Sequence, residues 1–186
     1  MSASARVTAF NAWAKHHRWS ARCDPDLRLK DEGLKGLLAV WREQARAHPV
    51  PRRSQFTARL LKPWLASIAL IERVSMVPPG YHLRLVGTRV TLVLGLPNGR
   101  ILEDVVKPET AERWHAVLDV TLEEQCPLRF VAATAYRGLE HLRAEALHLP
   151  LSAEGGPATM VLIGMFFGPA VEAQARALMG TPGAAG

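Results

Sequence analysis

Two short runs that are apolar on both faces constrain this chain more than any other feature. Ala158 to Phe167 (ATMVLIGMFF) is one, and the first half of Ser67 to Val74 (SIALIERV) is the other. No run reaches the ~18 consecutive apolar residues of a membrane span. The longest piece, Met160 to Phe167, is strand-sized and contains Gly164. Strands of this kind lie in the middle of a sheet, with both faces covered by other elements. A chain carrying two of them must therefore supply a cover for each face.

The remaining periodicities supply strands and covers. Tyr81 to Val86 alternates, with Tyr81, Leu83 and Leu85 expected on one face, and Pro78-Pro79-Gly80 joins it to the preceding strand as an antiparallel hairpin. Residues 89–106 break into short pieces around Gly95, Pro97 and Asn98-Gly99, which suits helical turns better than a strand. Pro108 is placed to start a helix that runs to about Glu124, with Trp114, Val117, Leu118, Thr121 and Leu122 at helical spacing. Three strands follow, over 128–136, 142–151 and 158–167. Upstream, Asp31 is a helix N-cap with Glu32 behind it. Leu34, Leu37, Leu38, Trp41 and Ala45 then form an apolar stripe opposite Lys35, Arg42, Glu43 and Arg46, until His48-Pro49 ends the pattern.

This order predicts an α+β fold: a five-stranded antiparallel sheet with a helical crossover on one face and an N-terminal amphipathic helix, 31–48, available for the other. The division expected is a basic, partly ordered leader at 1–30, one domain over 31–168 that includes the helix, and a tail at 169–186. A length of 186 residues and 48% hydrophobic content fit one domain with extensions. The two cysteines, Cys23 and Cys126, form neither a zinc cluster nor a disulfide framework. The amino-terminal stretch has scattered charge and no continuous apolar core, so it is no secretory signal, and a cytoplasmic location is expected.

Charge is uneven. Residues 1–62 hold 13 Lys and Arg against 5 Asp and Glu, a local net of +8, within a whole-chain net of +6. Phe10, Trp13 and Trp19 sit among Arg6, Lys15, Arg18 and Arg22. Such a leader either docks its aromatics on the body or meets an acidic partner, an anionic membrane surface or a nucleic acid.

Motifs narrow the field further. Trp41-Arg42, Pro51-Arg52-Arg53-Ser54, Arg84-Leu85-Val86-Gly87-Thr88, and then Gly95 with Gly99-Arg100-x-Leu102-Glu103-Asp104 occur in that order. Over roughly residues 34–167 the chain resembles the single-domain PAS proteins of alphaproteobacteria. In that family a leading helix ends at a proline-arginine motif, and an arginine-leucine-valine-glycine-threonine motif closes the second strand. The chain departs from the family at Gln55-Phe56-Thr57-Ala58, where an acidic residue and a proline are common. The resemblance implies a sensory and regulatory module without its own catalytic unit, acting on a regulatory protein partner and commonly dimeric. The stripe Leu34, Leu37, Leu38 and Trp41 is then the lid of the sheet or the contact of a homodimer. A small-molecule ligand would enter between the sheet and the 108–124 helix, against Leu85, Trp114, His115, Leu118 and Phe130.

No cofactor, metal or enzymatic activity is expected. His115 lies beside the apolar stripe of its helix rather than at its centre, a poor position for a haem ligand. The cysteine that a flavin photoreceptor needs is missing from 89–106. His141 and His148, seven apart on one strand, face opposite ways. Neither phosphate-binding glycine pattern occurs, nor G-x-S-x-G. Arg84 and Arg89 flank Gly87-Thr88, with Arg84 expected on the solvent side. A nucleic-acid or anionic membrane-surface binder working through the leader is the alternative to the PAS-type regulator.

Overall fold

The computed structural model describes residues 4–75, 80–133 and 143–179. Its strands form a single antiparallel sheet in the order β1 (Arg22–Asp24), β5 (Leu128–Ala133), β6 (Arg143–Leu151), β7 (Met160–Phe166), β2 (Ile68–Arg73), β3 (Tyr81–Val86), β4 (Arg100–Ile101). The five strands expected from the sequence are the five long ones, and β1 and β4 extend the two edges. The runs apolar on both faces are neighbours at the centre, with Ile68 opposite Gly164 and Glu72 opposite Met160. Residues 76–79, 134–142 and 180–186 lie outside the described residues, and with them His141 and most of the turn expected at Pro78-Pro79-Gly80.

Each face has its own cover. Leu34, Leu37, Leu38 and Trp41 of helix α2 (Glu32–Gln44) pack on Ile68, Leu70, Leu147, Leu149 and Leu162. The Asp31 carboxylate caps this helix by accepting from the Leu34 N–H at 3.1 Å. The helix stops at Gln44, short of the expected 48: the Ala45 N–H still reaches the Trp41 carbonyl at 2.9 Å, but the Arg46 N–H turns to the Glu43 carbonyl at 3.4 Å, a tighter final turn. Gly164 makes room for it: a Cβ there would stand 2.6 Å from Leu37 Cδ2 and 2.9 Å from Leu34 Cδ2. The indole of Trp41 donates to the Pro150 carbonyl at 3.0 Å, so the buried ring has no orphaned polar atom. The stripe is occupied within the chain, on its own sheet.

On the other face Ala69, Ile71, Val161 and Ile163 meet Val90 and Val93 of α4 (Thr88–Leu94) and Leu118 and Leu122 of α5 (Pro108–Glu124). Residues 169–186, read from the sequence as a tail, begin with helix α6 (Pro169–Met179), whose Val171 and Ala175 join this core. The leader also folds onto the body. Helix α1 (Ala5–His16) buries Val7, Phe10 and Ala14 against Val120, Leu128 and Phe130, and β1 pairs with β5.

Local chemistry explains two departures from the sequence pattern. Leu70 pairs with Leu85 but Ile71 with Leu83, so Arg84 is an extra residue in β3, a bulge. The bulge turns Leu85 away from Tyr81 and Leu83 and onto the α2 side, where it packs at the edge of that core. At the family's acidic-proline position, Gln55 accepts from the Arg52 N–H at 2.7 Å and Thr57 caps α3 (Ala58–Leu61) by accepting from the Leu60 N–H at 3.2 Å. Gln55 and Thr57 thus satisfy two backbone N–H groups at this position.

Gly87 closes β3 against backbone rather than side chain. A Cβ there would lie 2.3 Å from the Leu65 carbonyl oxygen and 2.5 Å from the Ala66 carbonyl carbon. Backbone cannot rotate away as a side chain can, so one segment must shift. Gly87→Val should lower the unfolding free energy by about 3 kcal/mol in denaturant titration. An unchanged midpoint would show that the 65–67 turn yields freely.

Candidate functional site

Small residues on the inner face of two strands leave space that larger ones would fill. Ala132 of β5 pairs with Ala144 of β6, and Phe130 with Ala146, and all four face α5. The result is a cavity of about 650 Å³ between β5, β6, β7, α5 and the connections flanking α4 and β4. Helix α5 contributes Thr110, Arg113, Trp114 and Val117, one stripe at i, i+3, i+4 and i+7. Met165, Phe167, Leu94 and Val106 add further apolar wall, and Trp19, Ser20 and Ala21 of the leader complete it. The size is that of a small-molecule site.

The polar groups in this wall are few. Lys107 and Arg113 carry its only charges, and no carboxylate lines it among the described residues. The Nε of Arg113 is buried with no hydrogen-bond partner, and its guanidinium carbon stands 5.8 Å from the Trp19 ring centroid. His148 is buried, with its ring 4.4 Å from that of Phe130. Burial depresses its pKa to about 3, so the imidazole is neutral at physiological pH. Its tautomer follows from its neighbour. Thr121 donates its one hydroxyl proton to the Val117 carbonyl at 2.7 Å, so toward His148 Nδ1 at 3.3 Å it can only accept. Nδ1 therefore holds the proton, and Nε2 is left as an acceptor.

Of the residues that the sequence pointed to, Trp114 and Phe130 line the cavity. Leu118, one turn beyond Trp114, is fully buried in the core instead. Leu85 sits on the opposite sheet face because of the bulge. His115 faces another site altogether: its Nε2 meets Glu103 Oε1 at 2.6 Å, and its ring meets the Tyr81 ring at 5.1 Å. Burial disfavours ionisation of Glu103, but the Gly80 N–H, at 2.7 Å, and His115 outweigh it and hold the carboxyl below its ordinary value. His115 is thus held by Glu103 away from the cavity wall, and neither Cys23 nor Cys126 lines the cavity. Arg84 is exposed and paired with Glu72 at 3.2 Å, while Arg89 pairs with Glu172 at 3.5 Å.

Sequence reasoning missed His148, Arg113, Lys107, the alanines and the leader residues. A signal for part of this existed: Ala144, Ala146 and His148 alternate on one face, with two of the smallest side chains beside a histidine.

A family model described as PAS domain matches residues 29–166. This chain belongs to the PAS domain family. Its PAS core is the five-strand set with α4 and α5, and the cavity lies between sheet and crossover helix. Membership makes the chain a sensory or regulatory module in kind. Among solved structures the PAS domain is similar to one described as "Structure of an RNA-binding Light-Oxygen-Voltage Receptor". The two are 12% identical, with a TM-score of 0.43, over 86% of this chain and 41% of that one. The PAS chain thus spans about two fifths of that receptor's length. No curated protein matches it. No helix among the described residues is long and apolar enough to cross a membrane.

The neutral state of His148 has a measurable consequence. Its pKa falls from 6.5 to about 3 in the folded chain, so between those values the unfolded chain binds more protons. Stability is therefore full above pH 6.5 and declines as pH falls toward 3. His148→Gln should flatten this dependence by up to about 1.4 kcal/mol per pH unit in that window, measured by denaturant unfolding at stepped pH. An identical slope in both proteins would mean that His148 is protonated in the folded chain.

Proposed function

We propose that this PAS domain is a cytoplasmic, non-catalytic regulator that takes a small, largely apolar molecule into its cavity and signals through contact with a partner protein. The observation that carries the reading is that the leader forms part of the cavity wall. Trp19, Ser20 and Ala21 line it, and Phe10 of α1 stands edge-on to the lining ring of Phe130 at 5.5 Å. A ligand that fits better with one placement of this segment than another shifts the population toward it, by its differential affinity and no more. The leader also carries the basic surface with which an acidic partner would be met. A dimer built on α2 would have to use Lys35, Arg42 and Glu43, since the apolar stripe is buried within the chain.

The second reading, a nucleic-acid or anionic membrane surface, draws support from Trp13. It is 38% exposed and grouped with His17 and Trp19, with Lys15 and Arg18 close in sequence.

The two readings separate in one experiment on the full chain. Used as bait in extract of its own cells, it should recover a regulatory protein. That capture should change when Ala146→Trp fills the cavity and disappear when Phe10 and Trp19 are both replaced by Ala. A partner held equally by all three proteins would break the link between cavity and output. Salt-sensitive retention on RNA or anionic vesicles, lost in the leader variant, would favour the second reading. Substrate turnover by the purified chain would move it into the enzymes.

A further inference from the structure

We infer that the cavity selects an amphipathic monoanion, an apolar body bearing one carboxylate, with the carboxylate placed against Arg113 and Lys107. This inference rests on the reading of the cavity as a ligand site and adds the chemistry of its occupant.

The charge of the wall is one-sided. Two cations line it and no carboxylate does, among the described residues. Among the described residues neither cation makes an ion pair, whereas Arg6, Arg28, Arg46, Arg73, Arg84, Arg89, Arg129 and Arg176 each meet an acid. A buried guanidinium N–H without an acceptor is costly, and the Trp19 ring compensates only through its π face. A carboxylate presents two acceptor oxygens to the guanidinium fork, the geometry that arginine recognises best. Lys107 adds a second positive charge from the N-cap of α5, a helix of 17 residues whose amino end also favours an anion. Lys107 is exposed, so the charged end of a ligand would sit where the cavity reaches solvent.

The rest of the wall limits the anion to one charge and an apolar body. Val117, Phe130, Ala144, Ala146 and Met165 offer no donor, and the single indole N–H of Trp114 is too little to solvate a second carboxylate or a phosphate deeper in. His148 is neutral there. A cationic amphiphile would meet two like charges and no counter-charge.

Full-length protein titrated calorimetrically with matched octyl and naphthylmethyl carboxylates, alcohols and amines decides this. The carboxylates should bind at least about tenfold tighter than the alcohols, and the amines weakest. Arg113→Met should remove that preference while leaving alcohol affinity within about twofold, and Lys107→Met should reduce it in part. Ala146→Trp should abolish binding of every probe. Lys107 lies outside the packed core, so its variant keeps the test open should Arg113→Met fail to fold. Alcohols binding as tightly as carboxylates to the unaltered chain would overturn the monoanion while leaving a ligand cavity. Carboxylate preference unchanged in both charge variants would overturn the assignment to these residues. No binding of any probe would overturn both the occupant and the cavity reading beneath it.

Discussion

The adjacency of β2 and β7 sets the terms for the rest of the molecule. β7 and the first four residues of β2 are apolar on both faces, and both faces must be withdrawn from water at about 25 cal/mol per Å² of apolar surface. The two solutions differ. On one face α2 descends onto Gly164 until its leucines touch the strand backbone, and Trp41 and Trp64 pin it through carbonyls of Pro150 and Gly33 at 3.0 and 2.8 Å. On the other, α4, α5 and α6 cover β2, β3 and β7 closely, but the cover thins over β5 and β6, where alanines replace the larger residues. The cavity is the part of the second face that the core does not fill.

Arg129 joins the leader to this arrangement. It lies on β5 and faces away from the cavity, and it meets Asp24 of β1 at 3.0 Å and Glu145 of β6. Glu145 in turn accepts from the backbone N–H groups of Lys30 and Asp31 at 3.2 and 3.1 Å, just ahead of α2. Three buried or half-buried charges thus tie together β1, two sheet strands and the start of the lid helix. Such a cluster adds less to stability than its geometry suggests, because its charges are desolvated, but breaking one partner leaves another charge buried and unpaired. It fixes where the leader leaves the sheet, and so where Trp19 to Ala21 meet the cavity.

Periodicity made the sheet legible, since Tyr81 to Val86 and Pro108 to Glu124 are bounded by residues that cannot continue the pattern: proline, glycine, or a helix end. The motif match made the family legible. Side-chain direction in β3 was not, because period-two reasoning assumes regular pairing and one extra residue, Arg84, reverses the face of Leu85. The leader was not legible either. Helix α1 places Val7, Phe10 and Ala14 inward at helical spacing, but its other positions are a mixture, and its partners Val120 and Phe130 lie more than a hundred residues away. The Arg129–Asp24 contact spans 105 residues and carries no local signature at all. The cavity was half legible: the helix that walls it was expected, while the space itself depends on which positions are small, and small residues read as featureless.

These two faces divide the labour of the proposed regulator differently from what the amphipathic helix alone implies. The sequence offers helix 31–48 as the lid of the sheet or the contact of a homodimer. That helix packs on the face opposite the cavity, in close contact with Gly164, and a signal to it would have to cross the sheet. The leader needs no such crossing. Trp19 touches both the cavity and Arg113, Phe10 rests on a lining ring, and β1 is a three-residue edge strand held mainly by one neighbour. Local opening is easiest where an element is short, peripheral and thinly packed, and α1 with β1 meets that description while α2 does not. On the proposed reading, a ligand that draws the Arg113 guanidinium toward a carboxylate takes it from the Trp19 ring, loosening one of the contacts that hold the leader down. The coupling is then a competition for one cation, local enough to require no movement of the core.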